Sequence, residues 1–391
     1  MDRRTLLTAL ALAPFTAGAV SAASEPDREA IRQRERPRVV AAANRFLSLR
    51  PTTVTARRAT RSPGRAHDYY SEGDYWWPDP ERPGGPYIRR DGYSNPDRFD
   101  EHRQALISFS VQMPTLAAAW QLTADPRYAR HAAEHLDAWF VNPATCMAPN
   151  LDHAQAIIGV NTGRGIGVID TLHLVEVAQA ALVLQRAGSA YPAAQGAAVR
   201  QWFARYLEWL TTSPNGLDES DEKNNHGSCY ALQVAAFARL VRDRKLVMAQ
   251  ARSFREVLIP NQVEADGRQP LELARTKPYS YSLFNLDVLS TLATIASSAD
   301  DDLWHFATAD GRGLAKALAY MAPAIADKRR WPAKPDVEFF DKLPVRQVSL
   351  LFGGLALGRS DYLKLWQGLD ADPETPEIIR NFPIRQPVLW I

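Results

Sequence analysis

The chain has 391 residues, of which 46% are hydrophobic and 23% are charged, and its formal net charge is +2. This composition is that of a folded globular protein, and it excludes disordered, collagen-like and low-complexity classes. The balance of 46 basic and 44 acidic residues argues against nucleic acid as a partner, but it allows a local basic groove for an acidic substrate. Two cysteines, Cys146 and Cys229, exclude a disulfide framework and allow at most one disulfide bond.

Residues 1–23 have the pattern of a secretory signal peptide. Arg3 and Arg4 precede an apolar stretch from Leu6 to Val20, and small residues follow as a cleavage site. The paired arginines favour twin-arginine export, with an ordinary export signal as the alternative. The apolar run is too short to cross a bilayer, and no longer one follows. We therefore expect a periplasmic or secreted protein with no membrane span.

Helical periodicity dominates the mature chain. One helix is expected between Glu25 and Val54. The stretch from Thr55 to Asp100 has no sustained period and is rich in Pro, Gly, Asp, Tyr and Trp, and a loop of this length is usually functional. After Asp100, apolar residues recur at three- and four-residue steps, whereas strand-like alternation is almost absent. The Pro-rich tail from Ala371 is predicted to be irregular.

This pattern predicts antiparallel helix pairs in one domain that spans residues 24–391. Such pairs close either as an open solenoid or as a toroid of inner and outer helices. The absence of a regular sequence repeat argues against a solenoid. We therefore predict an all-α fold, an (α/α) toroid or incomplete barrel, in which helix ends and connecting loops gather around one cleft.

Two polar stretches lie beside predicted helix starts. Residues 224–227 read Asn-Asn-His-Gly before a helix expected near Ser228. Helix capping accounts for one asparagine, but two amides, a histidine and a glycine exceed that need. Residues 272–281 carry two cations and two tyrosines before a helix expected at Ser282, and Pro278 predicts a loop there. Tyrosines beside cations suit anion binding and proton transfer, whereas scattered charges on a surface loop are the alternative.

Three other patterns are weaker. Residues 131–135 match the H-x-x-E-H zinc pattern, but a third ligand is not evident and the helix carries a core stripe. Close glycines in residues 163–167 lack the preceding strand of a dinucleotide loop. The acidic residues at 218–222 could hold a glycosidase carboxylate pair, but they are more typical of a solvated turn. The sequence predicts no metal and no cofactor.

Six stretches of the sequence form a combination that is specific for one protein family, although no single stretch is specific alone. They are Tyr69–Pro80, Arg90–Gly92, Gly159–Gly167, Asn224–Gly227, Asp266–Arg268 and Glu272–Tyr281. Over about residues 69–331, they resemble the alginate lyase family of helical-toroid polysaccharide lyases. The resemblance implies metal-independent β-elimination at the glycosidic bond of an acidic polysaccharide, either alginate or, as in closer relatives, β-1,4-glucuronan. It places Asn225 and His226 on one side of the cleft, and Arg275 and Tyr281 on the other.

Elimination makes three chemical demands. The C5 proton of a uronate is barely acidic while the carboxylate is charged, so donors must neutralise that group. Arg275 can bind it through two charge-assisted bonds, and Asn225 adds a neutral donor. A base must take the C5 proton and an acid must protonate O4. We expect nearby Arg275, Lys277 and His226 to lower the pKa of Tyr281 from about 10.

Two stereochemical courses stay open. In a syn elimination Tyr281 could serve both proton transfers, with His226 binding the carboxylate. In an anti elimination His226 could be the base and Tyr281 the acid. Further residues are expected to bind substrate: Tyr75, Trp76 and Trp77 along the sugar cleft, Arg164 at a neighbouring carboxylate, and Asn224, Lys277 and Tyr279.

Two rival functions are a toroidal glycoside hydrolase and a uronate-binding protein without catalysis. Only elimination gives products that absorb ultraviolet light. We expect the protein to be a monomer.

Overall fold

The computed structural model describes residues 25–391. The predicted signal peptide at residues 1–23 lies outside the described residues, so export stays a prediction. The α-helices are α1 (Glu25–Phe46), α2 (Glu101–Thr123), α3 (Pro126–Phe140), α4 (Leu174–Leu184), α5 (Ala193–Thr212), α6 (Pro214–Ser220), α7 (Asn225–Val241), α8 (Arg244–Ser253), α9 (Ile259–Gln262), α10 (Pro270–Leu273), α11 (Pro278–Ala296), α12 (Leu314–Ala326), α13 (Val348–Ala356), α14 (Ser360–Gly368) and α15 (Pro376–Arg380). The β-strands are β1 (Tyr70–Glu72), β2 (Trp76–Trp77), β3 (Ile88–Arg89) and β4 (His153–Ala156).

The long helices form two layers. Helices α2, α4, α7, α11 and α13 contact one another in succession and form the inner layer. Helices α1, α3, α5, α8, α12 and α14 pack against them from outside. Apolar residues spaced three and four apart give each helix a buried face, so alternate helices along the chain can share one core. The predicted all-α toroid is confirmed.

Large aromatic side chains fill the space between the layers. Trp139 of α3, Trp202 of α5 and Phe237 of α7 are almost completely buried. Phe140 and Trp202 bring their ring centroids within 4.5 Å, in a tilted arrangement. The Phe203 ring of α5 lies 5.1 Å from the Phe237 ring of α7 and so joins the outer layer to the inner one. Full burial of a Phe side chain contributes roughly 1.5–3 kcal/mol, so these contacts stabilise the packing of the layers. Cys146 and Cys229 are both free thiols.

The C-terminal segment, which was expected to be irregular, contains two short helices, Pro376–Arg380 and Pro387–Trp390, joined by irregular backbone. A 3-10 helix, Pro387–Trp390, contacts α1, α2 and α4, and the Trp390 ring lies 5.7 Å from that of Phe352 in α13. It therefore lies between the first and last inner helices. The buried Glu176 of α4 accepts hydrogen bonds from the backbone N–H groups of Arg385 and Gln386. These bonds fix the segment to the toroid.

Two small sheets order the long loop between α1 and α2. Strands β1 and β4 pair in parallel, with Tyr70 opposite His153. Strands β2 and β3 pair antiparallel, with Trp76 opposite Arg89 and Trp77 opposite Ile88. Because neighbouring residues of a strand point to opposite faces, this register separates the two tryptophans.

One helical segment, Gly165–Leu184, is long and apolar enough to cross a membrane, but its apolar window is 78% buried inside the toroid. This burial matches the core position of α4, one of the inner helices.

Candidate active site

A cavity of about 270 Å³ lies among the helix ends on one side of the toroid. Nine of the residues predicted from sequence line it: Tyr75, Trp76, Arg164, Asn224, Asn225, His226, Arg275, Lys277 and Tyr281. They come from the long loop before α2, the segment before α4, the start of α7 and the segment that leads into α11. The fold therefore brings together stretches that are about 200 residues apart in the chain.

The Asn-Asn-His-Gly stretch forms the first turn of α7, which begins at Asn225 rather than near Ser228. The Oδ1 atom of Asn224 accepts a hydrogen bond from the backbone N–H of His226 at 2.9 Å, so Asn224 caps the helix and also lines the cavity. A Cβ atom on Gly227 would lie 2.2 Å from the carbonyl oxygen of Glu222. This position therefore requires glycine for a close backbone approach.

His226 is oriented by a buried carboxylate. Its Nδ1 atom lies 2.9 Å from Oε1 of Glu219, a residue of α6 with no exposed surface. Burial disfavours the imidazolium, but the Glu219 carboxylate outweighs it and raises the pKa of His226. Burial also raises the pKa of Glu219. Because Nδ1 is engaged, the Nε2 atom is the one available to a substrate.

Asn225 is held in the same way by Glu272 of α10. The backbone N–H and the side-chain Nδ2 of Asn225 each donate to this carboxylate at 2.8 Å. Within residues 25–391, its Oδ1 atom is buried and has no hydrogen-bond partner. An amide nitrogen has two protons, so one Nδ2 proton stays available for a ligand.

Arg275 and Tyr281 form a compact pair that lines the same cavity. The Nη2 atom of Arg275 donates to the Tyr281 hydroxyl at 2.8 Å and to Oδ1 of Asp91 at 3.1 Å. The guanidinium also lies 4.0 Å from the centroid of the Tyr281 ring. The Tyr75 hydroxyl approaches the Tyr281 hydroxyl to 3.2 Å. Two phenols and one guanidinium therefore meet at one point.

The predicted loop around the two tyrosines is wrong. Helix α11 begins at Pro278, so both Tyr279 and Tyr281 lie in its first turns. Proline is well tolerated at the first position of a helix because its missing N–H would have no partner there. The restriction that Pro278 imposes applies only to the residue before it, Lys277, which has a non-helical conformation.

The predicted lowering of the Tyr281 pKa is also wrong. Burial and the neighbouring Tyr75 hydroxyl raise the pKa of Tyr281, and Arg275 offsets only part of this shift. In the free cavity Tyr281 is therefore a neutral phenol that can donate a proton. The positive charge of Arg275 is placed to stabilise negative charge that develops on the phenol oxygen during a reaction.

Arg164 lies in the cavity wall without an acidic partner among the described residues. It donates to the carbonyl oxygen and the Oε1 atom of Gln155, and its guanidinium lies 5.7 Å from the Trp76 ring centroid. Burial, together with the positive charge of Arg89, lowers the pKa of Arg164 to about 10. A cation in such a setting favours an anionic ligand.

Lys277 also lines the cavity, but its charge is already balanced. Its side chain is 3% exposed, and Nζ lies 3.1 Å from Oε2 of Glu338 and 3.2 Å from Oε1 of Glu377. It is part of an ion-pair network before any substrate binds.

Two predicted substrate-binding residues lie elsewhere. Tyr279 has no exposed surface, donates its hydroxyl proton to the carbonyl oxygen of Ala324 and packs against Trp331. Its assignment to substrate binding is wrong, because the helix start at Pro278 turns it into the core. Trp77 is outside the cavity lining, and its Nε1 atom donates to the carbonyl oxygen of Tyr93.

The weaker patterns have structural explanations. Both ring nitrogens of His131 have protein contacts, Nδ1 with Glu134 and Nε2 with the carbonyl oxygens of Phe46 and Leu49. Among residues 25–391, no group of three or more His, Cys, Asp or Glu side chains is placed to hold a metal ion. A Cβ atom on Gly167 would lie 2.6 Å from the carbonyl oxygen of Ala154, so this glycine serves close packing.

Sequence reasoning missed the buried carboxylates. The acidic run at residues 218–222 was predicted to be a solvated turn, which is wrong for Glu219. It also missed Glu377 and Arg380 of α15, which line the cavity from the C-terminal segment. The one available signal for Glu219 is its spacing of seven residues before His226, and that spacing is too common to be diagnostic.

The family model described as alginate lyase matches residues 53–331, most of the chain and all the catalytic candidates. The chain belongs to the alginate lyase family. It is a polysaccharide lyase, and an acidic polysaccharide is the substrate class of its family. No curated protein matches this chain at a significant level.

Solved structures of alginate lyases share the fold of this alginate lyase family member. An alginate lyase from Bacteroides ovatus is 31% identical, with a TM-score of 0.80 over 93% of this chain and 98% of that one. A variant of alginate lyase A1-III complexed with tetrasaccharide is 17% identical, with a TM-score of 0.59 over 90% and 94%. Alginate lyase A1-III from Sphingomonas species A1 is 18% identical, with a TM-score of 0.56 over 95% of each chain. The two more distant structures support the fold alone.

Proposed function

We propose that this lyase cleaves a β-1,4-linked uronate polymer, either the mannuronate blocks of alginate or glucuronan, and leaves an unsaturated uronate at the new chain end. The observation that carries this proposal is the cavity itself, which is lined by Asn225 and His226 together with the pair of Arg275 and Tyr281. The alginate lyase from Bacteroides ovatus, which is 31% identical, supports alginate as the first polymer to test.

The helix side of the cavity suits the uronate carboxylate. The unpaired Nδ2 proton of Asn225 and the Nε2 atom of His226 are both available to this group. The raised pKa of His226 keeps the imidazolium present at higher pH, and an imidazolium donates a charge-assisted hydrogen bond. Neutralising the carboxylate lets it accept negative charge as the C5 proton leaves.

Tyr281 is the proposed proton-transfer residue. In β-linked mannuronate and glucuronate the C5 proton and O4 lie on the same face of the ring, so elimination is syn and one residue can reach both. The phenol proton of Tyr281 passes to O4 as the C4–O4 bond breaks, the phenol oxygen takes the C5 proton, and the electrons of the C5–H bond form the C4=C5 double bond. The tyrosine therefore ends the reaction as the neutral phenol with which it began. Arg275 stabilises the charge on the phenol oxygen through its 2.8 Å contact.

Arg164 is proposed to bind the carboxylate of a neighbouring sugar, because it is a largely buried cation without an acidic partner among residues 25–391. Trp76 beside it supplies an apolar surface for a sugar ring.

One carboxylate at the cavity, that of Asp74, is unsuited to glycoside hydrolysis. Hydrolysis by a carboxylate pair needs an acid and a base that are free to meet the substrate. Asp74 is instead held by Arg98, Arg103 and Arg380, and these arginines keep its pKa well below the usual range against the effect of burial.

We also propose that the enzyme is exported and acts in the periplasm or outside the cell. Residues 1–23 support this with their paired arginines, apolar stretch and small-residue cleavage pattern.

The decisive experiment is the ultraviolet absorbance of the products on a panel of polymers, without added metal. The panel contains polymannuronate, polyguluronate, glucuronan, hyaluronan and pectate. We expect absorbance to rise on polymannuronate or glucuronan. New sugar ends without absorbance would establish hydrolysis instead, and binding without new ends would establish a binding protein.

A further inference from the structure

Helix α15 connects the two segments that carry the cavity tyrosines. Arg380 pairs with Asp74, and its Nη2 atom lies 2.8 Å from Oε2 of Glu377. Glu377 in turn accepts from Nζ of Lys277 at 3.2 Å. These four residues form a continuous chain of ion pairs, which we call the α15 clamp.

Each end of the α15 clamp is next to a tyrosine of the cavity. Asp74 directly precedes Tyr75, and Lys277 lies one helical turn before Tyr281. The Nζ atom of Lys277 also lies 5.7 Å from the centroid of the Tyr75 ring. The position of α15 therefore bears directly on the 3.2 Å contact between the two tyrosine hydroxyls.

The α15 clamp is largely shielded from water. The exposed fractions of its side chains are 3% for Lys277, 10% for Glu377, 11% for Asp74 and 17% for Arg380. Buried ion pairs add little net stability over apolar replacements, but they impose specific geometry, because a charge left without its partner is costly. The burial of these four charged side chains is therefore explained if the α15 clamp fixes the geometry of the segments that it joins.

Helix α15 is itself anchored to the toroid. Ile378 and Phe382 are buried, and Glu176 of α4 holds the backbone of Arg385 and Gln386 just beyond the helix. Movement of α15 relative to the inner helices is therefore opposed from its apolar side. This segment lies beyond residue 331, where the family match ends.

We propose that Glu377 and Arg380 are positioning residues, which set the distance between the Tyr75 and Tyr281 hydroxyls and so orient Tyr281 for proton transfer. The proposal rests on the proposed function, because it concerns the same reaction. It assigns a role in catalysis to a segment of the chain outside the family match.

The test compares wild type with Glu377→Gln, Arg380→Gln, Arg380→Lys and the double variant E377Q/R380Q on the polymer that wild type cleaves. A misplacement of about 1 Å costs up to about 100-fold in rate, so we expect kcat to fall about 10- to 100-fold with little change in KM. Arg380→Lys keeps the charge and should recover part of kcat. Because the two residues act in one chain, the double variant should lose less than the product of the two single losses.

Arg359→Gln is the matched control. It removes an exposed ion pair with Asp361 in the same C-terminal region, and we expect normal kcat and KM. Thermal unfolding of each variant separates misfolding from misplacement. If Arg380→Gln does not fold, Glu377→Gln and Arg380→Lys decide the question.

Folded Glu377→Gln and Arg380→Lys with unchanged kcat would overturn the positioning role, as would losses confined to KM. A wild-type enzyme that produces no ultraviolet-absorbing product on any polymer is a different failure. It would refute the proposed function, and the positioning role would fall with it.

Discussion

The two sides of the cavity hold their functional groups by different means. On the helix side, Asn225 and His226 are each fixed by one buried carboxylate from a neighbouring helix, Glu272 and Glu219. On the loop side, Arg275 and Tyr281 are held by partly exposed groups from the long loop before α2. The donors that we propose for the substrate carboxylate are thus held by the toroid core, whereas the proposed proton-transfer residue, Tyr281, depends on contacts with the loop.

This difference predicts how activity and stability are coupled. Removing one partner of a buried charged pair leaves the other without compensation, so changes on the helix side should affect both folding and turnover. Removing a partly exposed pair costs little stability, so changes on the loop side should affect turnover alone.

The largest effect is expected for Tyr281→Phe, which removes only the phenol hydroxyl. Loss of an acid or base typically lowers turnover by roughly 10²- to 10⁴-fold. Because the ring stays in place beneath Arg275, folding and polymer binding should be preserved. The initial rate of ultraviolet absorbance and the thermal unfolding midpoint measure the two properties.

Tyr279→Phe is the matched control, because it removes the same atom two residues earlier. Its hydroxyl donates to the carbonyl oxygen of Ala324 in the core. We expect a loss of about 1 kcal/mol in stability with nearly normal turnover. If Tyr279→Phe abolished turnover and Tyr281→Phe did not, the proton-transfer assignment would be reversed.

The next effect is expected for Glu219→Gln, on the helix side. Loss of the carboxylate frees the His226 ring to reorient. A misplacement of about 1 Å costs up to about 100-fold in turnover, so we expect a loss of up to that size. The carboxylate also raises the pKa of His226, so in the variant that pKa should fall, because burial then disfavours the imidazolium without the compensation that Glu219 supplies.

The pH dependence of kcat/KM tests the role of His226. If the imidazolium binds the substrate carboxylate, kcat/KM is high at low pH and falls as pH rises through the raised pKa of His226. In Glu219→Gln this loss should occur at lower pH. A wild-type kcat/KM that instead increases as pH rises through this range would make neutral His226 the base and would contradict its role as the carboxylate donor.

A smaller effect is expected for Asp91→Asn, on the loop side. Asp91 accepts from Arg275 through Oδ1 and from the Thr276 hydroxyl through Oδ2, so the variant loses the charge and one of the two acceptor oxygens. A hydrogen bond to a charged group contributes about 1.5–3 kcal/mol. A tenfold change in rate corresponds to about 1.4 kcal/mol of activation free energy, which is near the lower end of that range. We therefore expect about a tenfold loss of turnover.

The unfolding free energy of Asp91→Asn should change by less than about 1 kcal/mol, since the side chain is 25% exposed. Denaturant unfolding checks this value, with the exposed Asp361→Asn as reference. A large loss of stability with normal turnover would contradict the comparison between the two sides.

The sequence predicted the loop side better in identity than in geometry. The motif at residues 272–281 was enough to predict Arg275 and Tyr281 as site residues. It could not show which tyrosine faces the cavity, because Tyr279 and Tyr281 lie beside the same cations. That choice is made by the start of α11 at Pro278. Helix periodicity predicted the toroid because each apolar face needs a partner. Periodicity did not predict where α11 begins, and so it did not predict the directions of the side chains in the first turn of that helix.

The carboxylates behind the helix side could not be predicted from their local sequence. Glu219 stands among Asp218, Asp221 and Glu222, and such a run is typical of a solvated surface. Its burial results from the packing of α6 against α7 and against the 3-10 helix that precedes α4. Tertiary packing of this kind leaves no periodic signal in the acidic residues themselves.

The last prediction concerns α11 beyond the cavity. Asp287 lies in this helix, and its carboxylate accepts from the backbone N–H of Ser349 in α13 at 2.9 Å. Burial raises the pKa of Asp287 to about 7. In the unfolded chain the value is about 3.9, so the folded state binds this proton more tightly.

The stabilisation from that proton is therefore fully present below about pH 3.9 and is lost as pH rises through about 7. Asp287→Asn keeps an oxygen acceptor for Ser349 but cannot ionise, so its unfolding free energy should depend less on pH over this range. Urea unfolding of both proteins at about pH 5 and pH 8 measures the difference. Turnover at neutral pH should be normal, because Asp287 is outside the cavity lining. If the unfolding free energies of the two proteins depended equally on pH, the Asp287 carboxylate would be ionised throughout this range. The hydrogen bonds from α13 would then offset the whole cost of burying its charge.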